Sequence, residues 1–395
     1  MHILIIHQAF AALNEPGGTR HAEFARLLTA RGHRVTVIAS PVSYLTGEKN
    51  SQPEEDGGAR VIRVPVYGAY HQSFFHRLLA FFSFTFSAFF AGLKVRDVDV
   101  VWGTSPPIFQ GVAAWKLAWL KRAKFLFEVR DLWPQFAVAI GALKNPLLIF
   151  LSEWLERFLY RSADVVMVNS PAYLPHVQRR GARRAALIPN GADPAMFESV
   201  GGGEDFRAQH QLDGKFVALY AGAHGVSNDL PIVLQAAQIL TDSNIHIILL
   251  GDGKEKSALM NLARQMNLAN VTFLPSVPKR EMARALAGAD ACIAILKPLE
   301  EYKRTYPNKV FDYMAAGKPI ALSIDGVIRE VVDAAGCGVF AQPGNAAALA
   351  AALQALAGSP LASAQMGARG REYLKKNFSR EAAAQALFNL LEEVA

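Results

Sequence analysis

Residues 216–240 read FVALYAGAHGVSNDLPIVLQAAQIL. An apolar strand, FVALYAG, runs into a loop and then into the helix-length segment DLPIVLQAAQIL. The chain opens in the same way about 210 residues earlier. There a strand at 2–6 leads to a glycine loop, Gly17-Gly18, and a helix that ends at ARGH, before a second strand, RVTVIAS. Two such openings predict two similar units, each a doubly wound parallel sheet of the Rossmann kind.

Further short apolar runs fit this reading. Strands are predicted at 34–39, 60–66, 98–102, 125–129, 164–168 and 185–188 in the first half. In the second half they are predicted at 215–221, 245–250, 271–274, 290–295, 318–322 and 337–341. Helices fall between most of them. The 395 residues suit two domains of roughly 150–200 residues each. The stretch SVGGG (199–203) reads as the linker. The expected domains are therefore 1–198 and 204–378, with a C-terminal helix at 379–395 packing back toward the first. In open parallel sheets ligands bind beyond the carboxyl ends of the strands. Two such domains facing a cleft would place a site there.

Composition narrows the function. Half of the residues are hydrophobic and the net charge is +7, which suits an anionic partner. No helix-turn-helix, zinc finger or aromatic RNA-binding signature appears, so nucleic acid is not an expected partner. Cys292 and Cys337 lie in apolar runs and read as buried thiols rather than as a disulfide or a zinc site. The start, MHILIIHQAF, reads as a first strand and not as a signal peptide, so a cytoplasmic chain is expected.

The richest motif is YPNKVFDYMAAGKP (306–319). Pro307 suits a helix start. The first-turn N–H groups near Asn308 and Lys309 attract phosphate, and Lys309 adds a full charge. Asp312 lies one turn on, where a carboxylate could accept hydrogen bonds from ribose hydroxyls. A capped core helix would carry the same punctuation.

This motif resembles the donor-binding helix of the GT4 family of glycosyltransferases. It is most similar to the branch that builds bacterial O-antigens and capsules, which includes the L-fucosamine transferases. Other stretches resemble that family in the same order along the chain. They are GG near 17, LLTARGHRVTVIAS, EVRDLWPQ (128–135), ADVVMVNSP (163–171), IPNGADPAMF (188–197), LLGDG (249–253) and VTFLPSVPKREM (271–282). The resemblance implies an α/β GT-B fold and retention of anomeric configuration.

It also implies roles for particular residues. Asp312, where the family has a Glu, would bind the donor ribose. The backbone at Asn308, Lys309 and Val310 would hold the diphosphate. Gly17 and Gly18 would let the backbone approach the phosphates and the sugar closely. Gly222, His224 and Gly251 would line the donor site, and Val277, within Pro275–Pro278, would lie beside the nucleotide base. The sequence departs from the family at two places. The first Glu of the usual pair falls at Arg304, and the usual Arg and Lys fall near Ala223 and Asn228. Lys309, Arg304 and Arg130 are left to supply positive charge, with Lys309 expected to take most of that role.

Catalytic candidates sit in EVRDLWP, at the carboxyl end of a strand. Asp131 could accept the proton of the acceptor hydroxyl or hold the sugar, with Glu128 as the alternate and Arg130 beside both. An ion pair between Arg130 and one carboxylate is the structural alternative. With retention, the leaving phosphate can itself take the proton, so no single base is required. His7 and His21 flank the first loop, where packing or capping would also explain them. Gly251-Asp252-Gly253 does not complete a dinucleotide fingerprint, because Lys256 occupies the third glycine position. The pair Asp97/Asp99 precedes a strand, the wrong end for a metal site, and no metal or cofactor is expected.

Residues 78–93 (LLAFFSFTFSAFFAGL) carry no charge and are flanked by Arg77 and Lys94. Phe75, Leu78, Leu79, Phe82, Phe86, Phe89, Phe90 and Leu93 recur at helical spacing. The run is too short to span a bilayer. It suits either a helix lying in the membrane interface or one buried on both sides. Residues 147–160, with Lys144, Arg157 and Arg161 nearby, are a second such segment. The expected function is transfer of a sugar, with an N-acetylated deoxy-hexosamine in view, from a UDP-sugar to a saccharide on polyprenyl diphosphate at the inner face of the membrane. The alternatives are a nucleotide-sugar 2-epimerase on the same fold and a non-catalytic, anion-binding peripheral membrane protein.

Overall fold

The structure is a computed structural model that describes residues 1–43, 47, 55–68, 74–198 and 201–394. Ser199 and Val200 of the expected linker, and the side chain of Phe75, lie outside the described set.

Contacts divide the chain into two units. The first comprises Met1–Leu13, Gly18–Pro189 and Glu381–Ala395, and the second Asn14–Gly17 and Asn190–Arg380. The boundary thus falls at Pro189, ahead of the glycines expected to form the linker. The reason is local. The Asn190 side chain donates to the Tyr306 carbonyl at 2.6 Å. The Ala192 carbonyl accepts from the Arg380 N–H at 2.9 Å. Gly203 opens a helix, Gly203–Gln209, and packs so closely on Ala287 that a Cβ would stand 2.9 Å from its carbonyl carbon. Gly202 and Gly203 therefore serve close packing inside the second unit, against Arg284 and Ala287.

Unit 1 has an eight-stranded sheet. Its strands are β1 (His2–Ile6), β2 (Arg34–Ala39), β3 (Glu55–Asp56), β4 (Ala59–Arg63), β5 (Val100–Ser105), β6 (Lys124–Val129), β7 (Val165–Val168) and β8 (Ala185–Leu187). The order is β3-β4-β2-β1-β5-β6-β7-β8, and only the β3–β4 pair is antiparallel. β1 is central and wholly buried, with Ile5 paired to Val37 on one side and Trp102 on the other. A strand covered on both faces needs apolar residues at every position, which is why HILII does not alternate.

The helix Arg380–Val394 joins this core through Ala383, Ala384, Leu387, Phe388, Leu390 and Leu391. The Asp97/Asp99 pair lies at the amino end of β5, where Asp99 accepts the His2 N–H at 2.6 Å.

Unit 2 has six parallel strands. They are β9 (Phe216–Ala221), β10 (Ile245–Leu250), β11 (Val271–Leu274), β12 (Ala291–Ile295), β13 (Ile320–Ser323) and β14 (Gly338–Phe340). Their order is β11-β10-β9-β12-β13-β14. Cys292 and Cys337 are buried free thiols. In each sheet the winding reverses beside the first strand, at β1/β5 and at β9/β12. Such reversals open the crevices where doubly wound sheets take ligands.

The Phe74–Lys94 helix buries one face only. Ala80, Phe84 and Ala88 are fully buried, while Phe82, Phe86 and Phe90 are exposed. Two-sided burial is thereby excluded for this helix.

Candidate active site

At the carboxyl end of the unit 1 sheet, Glu128 on β6 is fully buried and accepts three hydrogen bonds. They come from Arg20 Nε at 3.0 Å, His21 Nε2 at 2.6 Å and Trp102 Nε1 at 3.1 Å. Arg20 also donates to the carbonyls of Pro189 and Ile188, each at 2.7 Å. Burial alone would raise the Glu128 carboxyl, yet the facing His21 and Arg20 groups hold it well below the usual carboxylate range. Burial lowers His21 in turn, against the pull of Glu128. The pair is therefore an ionised carboxylate neutralised by Arg20, with a neutral imidazole donating to it.

This corrects two expectations. The partner of Glu128 is Arg20, not Arg130. With its oxygens occupied, Glu128 is a support for other groups rather than a free base. Arg130 donates to the Pro106 carbonyl at 3.1 Å and forms no ion pair among the described residues. Asp131 is half-buried, and burial raises its carboxyl to about 6 against the opposing charge of Arg130. His7 and His21 stack with ring centroids 4.1 Å apart.

At the carboxyl end of the unit 2 sheet, Lys309 points back under the Gly222 loop that follows β9. Its ammonium donates to the Tyr220 hydroxyl at 2.8 Å and to Asn228 Oδ1 at 3.0 Å, and it stands 4.1 Å from the Tyr220 ring. A Cβ on Gly222 would come within 3.3 Å of Lys309 Nζ, so the glycine leaves the space that the ammonium uses. Burial lowers Lys309 to about 7.

His224 is fully buried, and neither ring nitrogen has a partner among the described residues. Burial lowers it to about 4. Gly251 (φ +148°) lies against the same loop, and a Cβ there would stand 1.9 Å from the Gly222 carbonyl oxygen. Lys256 is structural: its ammonium caps the Gly251 and Leu274 carbonyls at 2.8 and 3.1 Å.

The Asn308–Ala315 helix carries Lys309, Val310 and Asp312. Val310 is fully buried, so only its backbone can serve a ligand. Asn308 Oδ1 is buried without a partner among the described residues. Asp312 forms an ion pair with Lys279 at 2.6 Å, both side chains being mostly covered. Sequence reasoning missed Lys279, although it directly follows the Pro275–Pro278 segment that holds Val277.

Arg304 ends a turn, Glu300–Arg304, that is tied to the loop after β9 by the Tyr302 hydroxyl on Ser227 Oγ at 2.5 Å. Gly17 has φ +146°, and a Cβ on Gly18 would meet nothing within 4 Å. The structure thus groups Gly222, His224, Gly251 and Lys309 at one sheet end in unit 2. Glu128 and His21 form one cluster with Arg20 in unit 1.

Two family models match the chain. The glycosyl transferase 4-like domain covers residues 17–191, and the glycosyl transferases group 1 model covers residues 215–359. The chain is a GT4-type glycosyltransferase. The match in order of both halves bears out the resemblance carried by the motifs.

The glycosyltransferase is 25% identical over 393 residues to a protein of Escherichia coli (strain K12) whose provisional name is colanic acid biosynthesis glycosyl transferase WcaI, covering 94% of this chain and 95% of that one. Among solved structures it is similar to sucrose-phosphate synthase from Thermosynechococcus elongatus, with TM-score 0.79 and 20% identity over 99% of this chain and 98% of that chain. It is also similar to Anabaena HepE in complex with UDP and glucose, with TM-score 0.72 and 16% identity over 100% of both chains. These likenesses establish the GT-B fold of the glycosyltransferase.

Proposed function

We propose that the enzyme transfers a sugar from a UDP-sugar, with retention of anomeric configuration, to a saccharide carried on polyprenyl diphosphate in bacterial surface polysaccharide synthesis. The observation that carries the donor half is the Lys309 ammonium beneath Gly222, held by two neutral partners. A cation buried without a counter-ion is costly, and a diphosphate would supply the missing charge. The Asn308 first turn adds backbone N–H groups. Solved neighbours that hold UDP and glucose, and a relative named for colanic acid biosynthesis, support this reading. On this reading Lys309 supplies the charge that a divalent metal would otherwise bring, so the enzyme is metal-independent. An N-acetylated deoxy-hexosamine is the sugar to try first.

The test has two steps. UDP and individual UDP-sugars should raise the melting temperature, as any ligand of the native state does. Transfer should then require a lipid-linked acceptor. Interconversion of UDP-sugars without acceptor would replace this reading with the epimerase, and binding without turnover would replace it with the anion-binding protein.

The acceptor half rests on an apolar face. The helices Phe74–Lys94 and Pro146–Ser162 both pack against Phe109–Lys121, through Phe82–Phe109 at 4.6 Å and Trp115–Phe158 at 4.8 Å. Their outer faces show Phe86 at 67% exposure and Phe150 at 61%, with Phe90, Leu147 and Trp154 alongside. Arg77, Lys94, Lys144, Arg157 and Arg161 border them. Apolar residues with basic neighbours suit the interface of an anionic membrane. On this reading the enzyme works on the cytoplasmic side, peripheral on the inner membrane face. The double variant F86E/F150E should cut co-sedimentation with anionic vesicles by about tenfold or more while leaving UDP binding unchanged, since moving two charges into the interface costs about a kcal/mol or more each. Equal sedimentation of variant and wild type would remove the membrane contact.

A further inference from the structure

We propose that Lys279 positions Asp312 to read the ribose hydroxyls of the donor nucleotide, and so sets a preference for the ribonucleotide over its 2′-deoxy form. The inference rests on the UDP-sugar reading and adds a positioning residue at its nucleoside end.

The Asn308–Ala315 helix sorts its residues by face. Val310, Phe311, Tyr313, Met314 and Ala315 are buried in the core of unit 2. Asn308 and Asp312 are four positions apart, so their side chains are neighbours on the remaining side. Asn308 Oδ1 is buried and has no partner among the described residues. Asp312 Oδ1 accepts from Lys279 Nζ at 2.6 Å. An acceptor that lacks a donor therefore stands beside a carboxylate. Two adjacent acceptors suit a ligand that brings two adjacent hydroxyl donors. On the UDP-sugar reading the diphosphate lies at Lys309 and the first turn of this helix. The ribose bonded to that diphosphate carries such a pair of hydroxyls.

Lys279 opens the helix Lys279–Gly288. A cation there meets the positive end of the helix dipole, so its own helix does not account for it. Its ammonium turns instead to Asp312, 33 residues on, and stands 5.7 Å from the centre of the Phe197 ring. The two side chains of the pair are 12% and 18% exposed. This cover has two consequences. One carboxylate oxygen is held, which fixes the direction of the other. The charge of Asp312 is also offset, so a carboxylate can stand one turn from a bound diphosphate without repelling it. Without Lys279 the carboxylate would turn, and the cost of ordering it would fall on ligand binding.

The test is the ratio of the dissociation constants of 2′-deoxy-UDP and UDP, measured by calorimetry in wild type, Lys279→Met and Asp312→Asn. Methionine keeps the apolar stem and removes the charge. Lys279→Ala is a second, shorter variant that should behave alike, and melting temperatures without ligand control for folding. Wild type should prefer UDP by about 10- to 100-fold, the effect of one hydrogen bond to a charged group. The preference should shrink to about threefold or less in Lys279→Met, as expected when an acceptor loses its preorganisation. Asp312→Asn should lose it as well. Adding Lys279→Met to Asp312→Asn should change the ratio no further, because the lysine acts through the carboxylate. A lysine that only supported the fold would weaken both nucleotides together and leave their ratio as it is.

A Lys279→Met variant that keeps the wild-type ratio would overturn the proposal. So would a wild type that binds both nucleotides equally, or a double variant whose losses simply add. A wild type that binds neither nucleotide fails the UDP-sugar reading itself, and the role of Lys279 with it.

Discussion

Lys309→Ala should weaken UDP-sugar binding by about 10- to 100-fold, because a hydrogen bond to a charged group contributes about 1.5–3 kcal/mol. The effect should depend on pH. Lys309 is lowered to about 7 by burial in the ligand-free chain. A diphosphate favours the ammonium, so binding takes up a proton and raises this value. Affinity is then full below pH about 7 and declines as pH rises above it, until the pKa of the bound form is passed. Titrating a UDP-sugar at pH 6.5 and at 8.5 should show a drop of about tenfold or more in wild type and none in Lys309→Ala. A UDP-sugar serves better than UDP, whose terminal phosphate titrates in the same range. Equal affinity for wild type and variant at both values would mean that the diphosphate is held elsewhere.

Glu128→Ala should destabilise unit 1 by about 3–5 kcal/mol, the range for leaving one partner of a buried ion pair alone. Arg20 is 3% exposed, and its Nε pairs with Glu128 Oε1 at 3.0 Å. A melting transition lowered by roughly 10 °C is expected for a unit of this size. The double variant Arg20→Met, Glu128→Leu should recover most of that loss, since replacing the pair by apolar groups is often neutral. A single variant that melts with wild type would show that water reaches the pair.

The strand framework was legible because both sheets are parallel and covered on both faces. Their strands appear as unbroken apolar runs, such as HILII and FVALYA, and the predicted starts and ends fall within a few residues of the observed ones. β5 runs three residues further than expected, to Ser105, because its end is polar and reads like a loop. The antiparallel β3 is two residues long and gives no periodic signal.

The contacts divide the chain at Pro189 rather than at the glycines near 201–203. Consecutive glycines signal freedom when the chain is read alone, yet at Gly203 they answer a close approach to Ala287. Site residues on the motif helix were readable through their spacing. Their partners were not, because Lys279 meets Asp312 across 33 residues and Arg20 meets Glu128 across 108. Nothing local marks such pairs.

The interlock between Gly222 and Gly251 bears on how substrate preference can be altered in this scaffold. At 1.9 Å from a carbonyl oxygen, no side chain fits at Gly251. The loops after β9 and β10 are thus a fixed chassis, and neither can be rebuilt without the other. On the proposed reading, variation that retunes the sugar would enter through Arg304, which ends the Glu300–Arg304 turn. A library randomised at that position, with the glycines held constant, should yield folded members, whereas one that includes Gly251 should yield mostly misassembled protein.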